Sequence, residues 1–132
     1  MTKTKTLLLG FLGTIFVDQI SKFLFAKYTQ MWFNAGISFG LLGKLDGYIL
    51  LFLILIALFV LWRVFARAVW QQYPLATGVL FGAAVSNAVD RVFFGGVRDW
   101  MWMPVLNVHN NFADWAIFFA IVWIMKKEIW HK

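Results

Sequence analysis

Residues 75–94 read LATGVLFGAAVSNAVDRVFF, and this stretch decides the fold. Apolar or small side chains occupy nearly every position over a length that lets an α-helix cross a hydrocarbon core of about 30 Å. The polar groups gather at one end, where Asn87, Asp90 and Arg91 stand at i, i+3 and i+4 and so share a helix face. An Asn amide is donor and acceptor together, and Arg offers a planar fork. The stripe therefore reads either as an Asp–Arg clamp or as a holder for a peptide backbone. Gly78, Gly82 and Ser86, spaced by four, form a ridge of small residues that lets another helix come close, and are read as packing.

Three further apolar stretches lie outward from this one: Leu7–Phe25, Tyr48–Phe65 and Phe112–Met125, the last reaching span length only with a few flanking residues. The 132-residue chain is 62% hydrophobic and 20% aromatic, with a mean hydropathy of +0.76. Such a composition excludes a water-soluble domain. The expected fold class is an all-α membrane protein of four transmembrane helices, a single domain over residues 1–132. The first stretch is too long for the apolar region of a signal peptide and is expected to stay as a helix.

Lys3, Lys5, Arg63, Arg67, Lys126, Lys127 and Lys132 fall on one side of this arrangement, and Lys27, Lys44, Arg91 and Arg98 on the other. The positive-inside rule then places both termini and the loop 66–74 in the cytoplasm. The net charge of +6 is dispersed over helix ends. It forms no basic run with interleaved aromatics, which argues against nucleic acid and for anionic headgroups as the partner. Absence of Cys excludes disulfides and thiol catalysis, and His109 and His131 are too few for a His-rich metal site. No metal or organic cofactor is expected.

The outer segments are less apolar. Trp32–Gly40 alternates loosely and holds two glycines, as in a small strand-rich element lying on the membrane. Gly95–Trp102 is aromatic, which suits the headgroup layer better than ligand contact.

Carboxylates at a membrane edge are costly and demand a reason. The chain has five Asp and one Glu. Asp18 lies roughly 18 Å along the first helix, with Lys22 one turn later, so the two read as an ion pair fixing that helix or, less simply, as a catalytic acid with its partner. Asp114 alone is a helix-start residue, and Asp99 alone a solvated loop acid. Together they suggest more, because both belong to the outer boundary and the fourteen residues between them can fold back. Two close carboxyl groups cannot easily both ionise, which leaves a base beside an acid, the equipment of an aspartic protease.

An ordered set of motifs extends this reading: Asp18 with Lys22, Asn34-Ala35-Gly36-Ile37-Ser38-Phe39, Asn87-Ala88-Val89-Asp90-Arg91, Gly96-Val97-Arg98-Asp99-Trp100, and Asn111-Phe112-Ala113-Asp114. In this set the chain resembles bacterial lipoprotein signal peptidase, the signal peptidase II family. The resemblance implies a four-helix aspartic endopeptidase of the bacterial inner membrane, which removes signal peptides from diacylglyceryl-modified prolipoproteins at the outer face. It implies Asp99 and Asp114 as the catalytic pair, and Asn34, Asn87, Arg91 and Asn111 as residues that hold substrate or orient the pair. Asp18, Lys22 and Asp90 would support the architecture, and a monomer working without metal is expected. The chain departs from the family pattern in having Asn110 where Phe is common and Ser86 where Gly is usual. A small transporter or channel subunit and a signal-peptide-binding paralogue without catalysis are the alternatives, although a transporter tends to keep its key carboxylate near the midplane.

Overall fold

The computed structural model of the protein describes residues 1–34 and 69–130, with residues 52, 55, 56, 59 and 63, all helical, between them. Apart from those positions, the expected second span Tyr48–Phe65 lies outside the described residues. Three helices frame what is described: α1 (Lys3–Phe25), α2 (Pro74–Phe94) and α3 (Phe112–Trp130). Four short strands lie between them: β1 (Trp32–Asn34), β2 (Val97–Asp99), β3 (Met101–Met103) and β4 (Val108–Asn110).

Local chemistry sets the helix ends. Thr2 caps α1 by accepting the Lys5 N–H at 3.4 Å. Pro74, expected in a loop, is instead the first residue of α2, where its missing N–H has no partner to lose. Gly95 ends α2 in the left-handed region at φ 72°, and its N–H returns to the Arg91 carbonyl. The fourth apolar stretch takes in its flank and runs to Trp130.

Packing follows the glycine ridge. A Cβ on Gly78 or Gly82 would run into the backbone of Leu7 or Phe11, and one on Gly10 would meet the Leu75 carbonyl at 2.7 Å. These contacts advance together along both helices, so α1 and α2 lie parallel, and they continue into Ser86 and Asp90 against Asp18, Gln19 and Lys22. α3 turns back against α2 through a small cluster of Ala83, Ala113 and Ala116, with Val79 and Ile117 beside it.

The interior is polar and the exterior apolar. α1 buries Gly10, Thr14, Asp18 and Lys22 at a spacing of four, while Leu12, Phe16 and Phe23 are 60% exposed or more. Asp18, Lys22, Ser86, Asp90 and Asn111 are fully enclosed. In water such a surface would aggregate, whereas in lipid it is the natural arrangement. Among the described residues α1 is the one helix long and apolar enough by composition to cross a membrane.

The strands differ from expectation. The first outer segment contributes β1, and the rest of the expected element lies outside the described residues. The segment Gly95–Trp102, expected as a headgroup belt, instead carries β2 and the start of β3, and β4 follows it. β1 pairs antiparallel with β2 across the two segments, Trp32 opposite Asp99 and Asn34 opposite Val97. β3 and β4 form a hairpin, its turn containing Asn107 at φ 51°, a conformation Asn tolerates better than most residues. Trp32 stacks on His109 with ring centres 4.8 Å apart, joining the two sheets.

Candidate active site

The site is assembled at the start of α3. Asn111 is the cap: its Oδ1 accepts the Asp114 N–H at 3.0 Å, while Asp114 Oδ2 reaches back to the Asn111 N–H at 3.2 Å. This reciprocal capping box satisfies two orphan donors of the helix start. The same Asn111 side chain has an amide nitrogen to spare, and it donates to Asp99 Oδ1 at 2.6 Å. One residue therefore ties Asp99 on β2 to Asp114 on α3. Each carboxyl has a second amide: Asn87 Nδ2 donates to Asp114 Oδ1 at 3.0 Å, and the Asn34 side chain hydrogen-bonds Asp99.

Burial dominates the electrostatics of Asp99, whose residue is 1% exposed. Desolvation and the nearby Asp114 charge push its carboxyl up to about 7, against hydrogen bonds from Asn111 and Asn34 and the attraction of Lys22. At neutral pH this group is poised between acid and base.

Behind the pair lies a second cluster. Lys22 Nζ sits 2.6 Å from Asp18 Oδ2, 3.0 Å from Asp90 Oδ2 and 3.0 Å from Asn87 Oδ1. Asn87 thus carries contact from the ammonium to Asp114. Asp18 does more than pair with Lys22, because its Oδ1 accepts the Ala113 N–H at 2.9 Å and helps cap α3 from the far end of the chain. Among the described residues no group of three His, Asp or Glu is arranged to hold a metal ion; the Lys22 ammonium lies between Asp18 and Asp90.

With this geometry in view, residues 10–130 match the family described as signal peptidase (SPase) II. The chain belongs to the signal peptidase II family. A lipoprotein signal peptidase of Helicobacter pylori (strain ATCC 700392 / 26695) is 36% identical over 138 residues, covering 92% of this chain and 83% of that one. Another, from Sulfurovum sp. (strain NBC37-1), is 30% identical over 129 residues, covering 89% and 88%. A solved bacterial membrane enzyme shares the fold, with a TM-score of 0.73 at 21% identity over 95% of this chain and 88% of its own.

In this signal peptidase II chain the residues singled out by sequence fall into two groups. Asp99, Asp114, Asn34, Asn87 and Asn111 are brought together at the start of α3. Asp18, Lys22 and Asp90 form the neighbouring charged cluster. Arg91 donates to the main-chain carbonyl of Asn87 at 3.1 Å and feels the charges of Asp114, Asp99 and Asp90. Sequence reasoning passed over Gln19 and gave Ser86 and Arg98 no role at the site. Ser86, taken as packing, donates to Asp18 Oδ2 at 2.7 Å. Gln19 donates to Ser86 Oγ and to Asp90 Oδ1, both at 2.9 Å, and Arg98 Nη2 binds Gln19 Oε1 at 2.7 Å and Asp90 Oδ1 at 2.8 Å. The available signal was a Gln beside Asp18 in an apolar span.

Proposed function

We propose that this chain is a membrane aspartic endopeptidase that removes signal peptides from diacylglyceryl-modified prolipoproteins, with Asp99 and Asp114 as its catalytic pair. The observation that carries this reading is the Asn111 bridge, which fastens the buried Asp99 carboxyl and the half-buried Asp114 carboxyl to each other's neighbourhood in a chain of the signal peptidase II family. The protein acts as one unit with four membrane-spanning helices in the bacterial inner membrane, termini in the cytoplasm and the pair at the outer face. The parallel course of α1 and α2 supports this, since the chain must return across the bilayer between them.

The substrate's signal helix packs along the apolar surface while its lipid tails remain in the bilayer, so binding draws on apolar burial and peptide hydrogen bonds. Asn34, Asn87, Arg91 and Asn111 hold the substrate backbone or orient the pair. The pair shares one proton and titrates as a unit. Its carboxylate takes a proton from water as the water oxygen attacks the scissile carbonyl, and its protonated member donates toward the developing oxyanion. Collapse of the tetrahedral species breaks the C–N bond, and the proton gained from water passes to the leaving amine. Neither a metal nor an organic cofactor enters this scheme.

The test is cleavage of a lipid-modified prolipoprotein by the purified chain, read as a mobility shift. Asp99→Asn and Asp114→Asn should each lower the rate by about 10³-fold or more while leaving folding intact. Cleavage by either variant at the parent rate would refute the proposal.

A further inference from the structure

Asp99 sits between two residues that are fastened elsewhere. Successive side chains of an extended segment point to opposite sides, so Asp99 turns to Asn111 while Arg98 and Trp100 turn to α1. The Arg98 main-chain N–H donates to Asp90 Oδ2 at 3.0 Å, and its guanidinium binds Asp90 Oδ1 and Gln19 Oε1. That guanidinium also lies 4.0 Å from the centre of the Phe94 ring at the end of α2. On the other flank Trp100 stacks on Phe25 with ring centres 3.9 Å apart and planes 2° from parallel, and its main-chain N–H donates to the Asn110 carbonyl at 3.1 Å.

A three-residue strand at the rim of a bundle has little stiffness of its own. Its register against α3 must come from such ties. We infer that Arg98, held by Asp90 and Gln19, is a positioning residue that fixes β2 so that Asp99 meets Asn111 and Asp114. The inference rests on the reading of Asp99 and Asp114 as the catalytic pair. Arg98 touches neither carboxyl of the pair; it acts through the backbone. Lys is a poor replacement, since one ammonium cannot reproduce a planar fork shared between a carboxylate and an amide.

The experiment compares Arg98→Met, Arg98→Lys and Gln19→Leu with the parent and with Asp99→Asn, as full chains cleaving a diacylglyceryl-modified prolipoprotein. Arg98→Met should lower kcat about 10- to 100-fold, as expected when a reacting group is displaced by about an ångström, with KM changed by less than about 3-fold. Its alkaline limb should move to lower pH, because burial is the largest cause of the raised Asp99 carboxyl and, with the Asn111 hydrogen bond and the Asp114 charge included, the net effect of its seat is upward, so a loosened Asp99 relaxes toward the ordinary carboxylate range. The other groups that face Asp99, namely Asn34, Asn111, Lys22 and Arg91, are the same in every variant. Arg98→Lys should recover part of the rate, and Gln19→Leu should move the limb the same way by less.

A fall in folded yield with unchanged kcat per folded molecule and an unmoved limb would overturn the inference by making Arg98 merely structural. If Arg98→Met does not fold, Gln19→Leu decides by the same limb. Activity in Asp99→Asn would instead strike at the catalytic pair, whereas an inactive Asp99→Asn beside a fully active Arg98→Met would remove only the role given to Arg98.

Discussion

Two clusters of carboxyl groups lie side by side in this protein and are held by different chemistry. Asp18 and Asp90 share the Lys22 ammonium at 2.6 and 3.0 Å, and Asp90 takes the Arg98 guanidinium as well. The hydrogen bonds that hold Asp99 and Asp114 come from amides of Asn34, Asn87 and Asn111. A cation in contact fixes a carboxylate in its charged form, whereas an amide orients a carboxyl group without neutralising it. The first cluster is thereby suited to bearing structure, and the second to exchanging a proton.

The sharpest way to break this contrast is to remove the cation. Lys22→Met leaves Asp18 and Asp90 buried with a charge deficit and should cost about 3–5 kcal/mol, seen as a large loss of thermal midpoint in detergent, whereas Asp99→Asn should fold as well as the parent. Equal damage from both would erase the distinction. A smaller effect separates the two tasks of Asn111. Asn111→Ser keeps a capping oxygen but gives up the amide that reaches Asp99, so the rate should fall about 10²-fold with a midpoint shift worth no more than about 1 kcal/mol.

The pH dependence sharpens the contrast further. Asp99 is raised in the folded state from 3.8 to about 7, so the folded protein holds a proton there that the unfolded chain has released. Its contribution is intact at acid pH and is lost as pH rises through that interval. The thermal midpoint of Asp99→Asn should therefore gain on the parent as pH climbs and level off above about 7. Activity of the parent should decline over the alkaline part of the same range as the pair loses its shared proton. The smallest effect belongs to a site remote from both clusters: Thr2→Ala removes an exposed cap and should cost no more than about 1 kcal/mol, with unchanged cleavage.

Much of the framework was legible because it is periodic. The apolar stretch at 75–94 became α2 nearly residue for residue, and the i, i+3, i+4 stripe of Asn87, Asp90 and Arg91 announced a polar face. Periodicity names a face but not what it meets. That Asp18 would cap a helix beginning at Phe112, or that Ser86 would leave a packing ridge to bond Asp18, depends on the register between helices, which no local pattern encodes. The strands were hidden for a related reason. β1 and β2 are three residues each and gain their hydrogen bonds from one another across distant parts of the chain, so neither has a strong pattern alone. Spacing alone gives the pair as two acids near one boundary, and it is the resemblance to the family that singles out Asp99 and Asp114 as partners. The resemblance assigns Asn111 to holding substrate or orienting the pair, but the capping geometry by which it joins the two acids has no sequence signal of its own.

Because the Asp18 carboxylate binds the Ala113 N–H, α1 keeps one hydrogen-bonding position for the start of α3, 95 residues further along the chain. During synthesis that position stays unfilled until Ala113 has been made. The contacts that enclose Asp18 are thus complete only once α3 has packed against α1.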